Sequence, residues 1–372
     1  MTLVLIVIFV ALVFEYINGF HDTANSIAMG VSTRALTPRA ALTIAAGMNL
    51  FGALVGTAVA KTISSGLVDN HFVSSATIIS ALLGAIIWNL ITWWFGLPSS
   101  SSHALVGGLV GATLASAAME LPAGQSAWTA IVWSDAKPGA PLKEWGGLLY
   151  KVIVPMLASP ILGFFGGFLV MSIFYVIIRK WRPRTVDRVF RFGQVFSGSY
   201  MGFSHGSNDA QKTMGIIALA LVAGTKSGAL DNLPPWLDFM HVRSLGPNND
   251  HIPPWIKITC ALVMAAGTAA GGWRIIKTMG QKMVKVLPVN GFAADATGAT
   301  VLMTAAHFGM PVSTTHAITT SIMGVGCAKR WSALKMSTVA RIIVAWILTL
   351  PLCTAIGWIT MKFWAWSGWS IH

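Results

Sequence analysis

Of the 372 residues, 55% are hydrophobic and 10% charged, against roughly 25% charged in an ordinary soluble domain. That balance excludes a soluble fold, and apolar runs of about 20 residues predict an all-α integral membrane protein. The formal net charge of +13 does not mark a nucleic-acid binder, because the basic residues gather in short segments at 179–191, 274–285 and 329–341 between apolar spans. Such clustering labels cytoplasmic loops.

In chain order, a first span runs over residues 2–31 with a break expected at Gly19. It lacks a basic n-region and a small-residue cleavage site, so it reads as a retained helix rather than a signal peptide. Residues 37–60 return, and 61–71 are short and polar. Residues 75–95 and 103–119 flank Pro98 and predict a re-entrant hairpin; 121–145 form a loop, and an apolar stretch from Gly146 leads into the basic segment. The plan then repeats. Residues 193–223 form a span with a break expected near Gly206, and a loop carries Asp231, Asp238 and Asp250. Residues 256–276 cross, and 292–308 with 316–327 flank Pro311 as a second hairpin. The last span, 341–366, ends in Trp364, Trp366 and Trp369 as an interfacial anchor. Cys260, Cys327 and Cys353 have no metal-ligand spacing and read as packing residues. Gly52 with Gly56, Gly107 with Gly111, and the 163–167 cluster have the small-xxx-small spacing of close helix contacts.

Loop charge assigns directions. The first span ends at basic residues, whereas its counterpart begins after them, so the halves are inverted: residues 1–178 and 193–372, joined by a basic cytoplasmic linker at 179–192. The expectation is six crossings and two hairpins, with both termini extracytoplasmic. Inverted repeats with broken helices are an architecture of secondary transporters, whose site lies at the repeat interface.

The motifs that carry chemistry are duplicated. Gly19-Phe20-His21-Asp22-Thr23-Ala24-Asn25 is echoed by Gly206-Ser207-Asn208-Asp209-Ala210-Gln211-Lys212. Acids inside apolar spans are costly and mark function. Asp22 and Asp209, with amide oxygens from Asn25 and Asn208 and carbonyls freed by glycine breaks, make a hard-oxygen shell for a small cation, or a carboxyl poised for a proton. His21 stands where the second copy has Asn208 and could titrate near neutral pH. Lys212, one turn after Asp209, either neutralises an acid or contacts an anion.

Gly96-Leu97-Pro98-Ser99-Ser100-Ser101-Ser102-His103 is likewise echoed by Gly309-Met310-Pro311-Val312-Ser313-Thr314-Thr315-His316. Each hydroxyl run opens an apolar helix, where hydroxyls cap orphan N–H groups and the helix start attracts anions. Ser100, Ser101, Ser102, Ser313, Thr314 and Thr315, together with Lys212, are therefore the anion-site candidates. His103 and His316 either touch substrate or lock the hairpins.

These four motifs, in this order, resemble the inorganic phosphate transporter (PiT) family over nearly the whole chain. The resemblance implies no enzyme. It implies a carrier of inorganic phosphate in the cell (inner) membrane, with a transport domain moving against a scaffold, often in a dimer. Phosphate would lie near the hydroxyl runs, and the coupling ion near His21, Asp22, Asn25, Asn208 and Asp209. The form with His21 is similar to bacterial low-affinity members, which import phosphate with protons, often as a neutral complex with a divalent metal such as Mg or Ca. Members with Asn at that place are commonly sodium-coupled, and some carry sulfate. No resident cofactor is implied. An anion channel, or a serine hydrolase built from Ser102, His103 and Asp22, are the rival readings.

Overall fold

The computed structural model describes residues 1–136, 138–139, 144–231, 233–242 and 252–368; Asp250 and Trp369 lie outside them. Among the described residues the chain is helical, with no strand beyond two isolated bridges, Val68 with Ile131 and Asp135 with Gly146. The first half comprises α1 (Thr2–Ser32), α2 (Pro38–Ala53), α3 (Ala58–Ser65), α4 (Ser75–Phe95), α5 (Ser101–Glu120) and α6 (Leu149–Ile178). The second comprises α7 (Pro183–Lys226), α8 (Pro254–Ala270), α9 (Trp273–Lys277), α10 (Pro288–His307), α11 (Thr314–Cys327) and α12 (Met336–Trp366).

Local chemistry sets several of the ends. Thr37 accepts from the Ala40 N–H at 3.3 Å ahead of Pro38 in the first turn of α2, and Ser74 and Thr77 form a reciprocal capping box at the start of α4. By length and apolar content α1, α4, α5, α6 and α12 can each cross a bilayer, and seven spans result if α2–α3 and α8–α9 each count as one bent span.

The breaks fall elsewhere than expected. α1 and α7 run unbroken through Gly19 and Gly206. A Cβ on Gly19 would lie 2.6 Å from the Met264 carbonyl oxygen, and one on Gly206 would lie 2.2 Å from that of Asn49. These glycines let α8 and α2 approach backbone to backbone; they unwind nothing. The spans expected to be continuous bend instead, by 69° between α2 and α3 and by 58° between α8 and α9. Hence part of the polar segment 61–71 is helix α3. The basic linker is also mostly helix, since only residues 179–182 separate α6 from α7.

Packing repeats when the two halves are exchanged. α2 packs on α7 as α8 packs on α1, and α3 on α7 as α9 on α1. α5 packs on α12 as α11 packs on α6, and each hairpin, α4–α5 and α10–α11, closes on itself. Two apolar cores result, one around Leu82, Leu105, Leu109 and Ile217, the other around Met171, Leu302, Ile318 and Ile322. α1 and α7 thread both, so their middles lie between the cores. Gly52, Gly107, Gly111, Gly163 and Gly167 sit at close helix contacts, each with neighbouring atoms within 2.9 Å of an added Cβ. The three cysteines are free and buried.

Candidate substrate and ion site

The two hairpin tips are built alike. α4 ends at Gly96 and α10 runs out at Gly309, both with φ of +64°. Leu97 N–H donates to the Thr92 carbonyl at 2.8 Å and Met310 N–H to that of Ala305 at 2.9 Å, the closure typical of a glycine-ended helix. After Pro98 and Pro311 the next helices begin: Ser100 caps the His103 N–H and Ser313 the His316 N–H, each at 3.1 Å. These two hydroxyls are thus engaged as caps. Ser101, Ser102, Thr314 and Thr315, one and two residues further on, face the middle of α1 and α7.

There the acids wait. Asp22 is 1% exposed and Asp209 fully buried, so each carboxylate needs compensation from its neighbours. Asp22 Oδ1 lies 2.6 Å from His21 Nδ1, and its Oδ2 accepts from Ser101 at 2.9 Å. Thr314 and Thr315 approach the same carboxylate at 3.5 and 3.4 Å. Asp209 Oδ2 accepts from Thr314 at 3.0 Å and pairs with His205 Nε2 at 3.0 Å, while its Oδ1 pairs with Lys212. Thr314 therefore bridges the acids of the two motifs. Asn25 donates to Thr314 at 3.2 Å and to Thr315 at 3.0 Å. Lys212 donates to Ser102 and to the Val312 carbonyl, the latter at 3.1 Å, and Ser102 reaches that same carbonyl at 3.1 Å.

Asp22, His21, Asn25, Asp209, Lys212, Ser101, Ser102, Thr314 and Thr315 thus form one buried, hydrogen-bonded cluster. Asn208 stands at its rim, donating to the Met310 carbonyl at 3.4 Å. The rings of His103 and His316 meet edge to face at 4.8 Å, and Trp346 of α12 stacks on His316 at 3.9 Å while donating to the Pro98 carbonyl at 2.9 Å. Neither ring nitrogen of His103 has a hydrogen-bond partner among the described residues. Ser102, His103 and Asp22 therefore form no hydrolytic relay.

Three contributors carry little or no signal in the sequence. Thr92 lies 3.0 Å from His21 Nε2 and accepts from Ser99 at 2.8 Å, but nothing near it in the chain announces this. Asn49 links His205 Nδ1 at 3.0 Å to Thr268 at 2.9 Å. His205, one turn before Asp209, is the residue that spacing could have found. Asp22, His205 and Asp209 offer ligand atoms within 4.8 Å of one another, a spacing that could hold a small cation. The hairpin-tip carbonyl of Val312 accepts from Lys212 and Ser102, whereas the unbroken α1 and α7 expose no carbonyls at Gly19 or Gly206.

An all-helical fold with several helices long and apolar enough to cross a bilayer, burying paired acids and hydroxyls between its halves, has the architecture of a multi-pass membrane transporter. Residues 18–357 match the phosphate transporter family, and the chain belongs to that family. It is 40% identical over 357 residues, 95% of each chain, to a probable low-affinity inorganic phosphate transporter of Bacillus subtilis (strain 168). It is 42% identical over 348 residues, 92% of this chain and 90% of the other, to a protein of the same description from Rhizobium meliloti (strain 1021). A solved structure described as the sodium-dependent phosphate transporter shares the fold, with a TM-score of 0.77, 22% identity and full coverage of both chains.

Proposed function

We propose that this protein imports inorganic phosphate into the cell by low-affinity symport with protons, taking it as a neutral complex of a divalent metal with hydrogen phosphate. The observation that carries the proposal is the single cluster in which both duplicated acids meet both hairpin tips. The reading includes two inverted repeats, both hairpins re-entrant, both termini outside the inner membrane, and a dimer as the working unit.

The energetics favour this cargo. Importing a bare divalent anion against −150 mV costs about 7 kcal/mol, at ~2.3 kcal/mol per charge per 100 mV. A bound divalent cation cancels that cost, and each proton carried in adds a driving force. Ser101, Ser102, Thr314 and Thr315 present hydroxyls and helix starts rather than an arginine clamp, which suits a neutral complex. His21, bonded to Asp22 and Thr92, is the proposed proton carrier.

Sodium coupling is the second reading, favoured by the cation-sized Asp22–His205–Asp209 cluster. Sulfate is the rival cargo. Labelled-phosphate uptake into proteoliposomes, with proton gradient, sodium, magnesium and competing sulfate varied separately, decides among them. Uptake driven by an inward proton gradient, enhanced by magnesium and lost in His21→Asn, is the expected result. Sodium-driven uptake indifferent to that substitution overturns the proton assignment, and full competition by sulfate overturns the cargo.

A further inference from the structure

The two acid motifs align residue for residue, and their seventh position, three residues after the acid, is where they part in charge. Gly19, Asp22 and Asn25 correspond to Gly206, Asp209 and Lys212, while Thr314 and Thr315 correspond to Ser101 and Ser102 in the hairpin tips. The contacts follow the same correspondence. Asn25 of the first motif bonds Thr315 at 3.0 Å, and Lys212 of the second bonds Ser102, the matching residue of the other tip. A neutral amide thus sits beside one buried carboxylate and an ammonium beside the other.

We infer that Lys212 is a tethered cation: its ammonium fills, in the second half, the place that the first half leaves to a mobile coupling ion between Asp22 and Asn25. Its ligands have the chemistry of a small-cation shell: a carboxylate oxygen of Asp209, the hydroxyl of Ser102 and the carbonyl of Val312. Those three acceptors use all three donors of the ammonium. The lysine is 1% exposed and Asp209 fully buried, so neither charge can be satisfied by water instead. Among the contacts described no lysine or arginine bonds the acid of the first half; the titratable neighbours of Asp22 are His21 in direct contact and His205 and Asp209, with ligand atoms within 4.8 Å. Lys212 therefore fixes how many cations accompany each substrate. A transporter with asparagine here would carry one more. The inference rests on the central cluster being the coupling-ion site.

The test is Lys212→Asn, which restores the residue of the first motif. His205 also faces Asp209, so all variants and both salts are compared at one fixed pH. Melting of purified protein in detergent is compared in sodium chloride and in choline chloride, without phosphate. We expect sodium to raise the melting temperature of K212N by several degrees more than that of the wild type. The added response should vanish in the double variant D209N/K212N. In proteoliposomes, sodium should stimulate phosphate uptake by K212N several-fold more than by the wild type. An identical sodium response in wild type and K212N overturns the inference. K212Q replaces K212N if the latter yields no monodisperse protein, and failure of both to fold even with sodium present throughout extraction also overturns it, since a mobile ion should refill the site. The melting comparison requires no transport. If wild-type protein moves no phosphate, the proposed function falls while this result still stands.

Discussion

Replacing Gly206 with alanine tests whether this glycine is a point of contact or a point of breakage. The new Cβ would lie 2.2 Å from the Asn49 carbonyl oxygen and 2.7 Å from its Cα, where ordinary contact begins at 3.4 Å. The obstacle is backbone, so no side chain can swing aside, and α2 and α7 must part by about 1.2 Å. Overpacking of this kind costs about 1–3 kcal/mol, and the upper end applies because backbone cannot repack. The gain of about 1 kcal/mol from placing alanine in a helix offsets part of it, leaving a net loss of about 2 kcal/mol. Gly198 on the same helix is the control: its nearest neighbour to an added Cβ is the Ser26 carbonyl oxygen at 3.8 Å. Alanine there should stabilise by about 1 kcal/mol. The two variants should therefore move the melting temperature in opposite directions in detergent. Uptake by G206A should fall by on the order of a hundredfold, because the shift reaches Asn49, His205 and Asp209, and a displacement near 1 Å has that effect on positioned groups. If both alanines behave alike in melting and uptake, the close-contact reading is refuted.

Removing the Ser101 hydroxyl deletes the 2.9 Å bond to Asp22; bonds to charged groups contribute about 1.5–3 kcal/mol. Uptake by S101A should need about tenfold more coupling ion or beyond for half-maximal rate, measured in proteoliposomes, and an unchanged requirement would remove Ser101 from the site. Alanine at Gly96 or Gly309 forces a left-handed residue at about 1–2 kcal/mol, against carbonyl oxygens of Arg274 at 3.1 Å and Ala58 at 3.0 Å. Both should lower the melting temperature by similar amounts. A large difference between them would mean that the two tips are not equivalent.

The candidate site was legible in the sequence wherever a residue type had little ordinary use in its surroundings. Asp22 and Asp209 stand in apolar runs, and hydroxyl runs after Pro98 and Pro311 open apolar helices; both signals led to residues that the fold brings together. Glycine misled because its two uses look the same in a linear string. Whether Gly19 and Gly206 bend a helix or admit a neighbour depends on Met264 and Asn49, far away in the chain. The bend between α2 and α3 was hidden for the opposite reason, since the apolar residues around it kept the hydropathy of an unbroken span. Thr92 and Asn49 were invisible because each is a neutral polar residue with no repeat or spacing to mark it, and only tertiary contact gives them their part.

The bonding of the hairpin tips bears on how firmly cargo is gripped. Ser101, Ser102, Thr314, Thr315 and Lys212 each already donate to an acceptor of the protein itself. If the oxyanion binds here as proposed, it would have to take over those donors, trading each existing bond for a new one of comparable worth. Such an exchange leaves little surplus to hold the passenger, and a weak hold lets it go quickly on the far side. On the proposed reading, turnover rather than retention is what this self-bonded centre would favour.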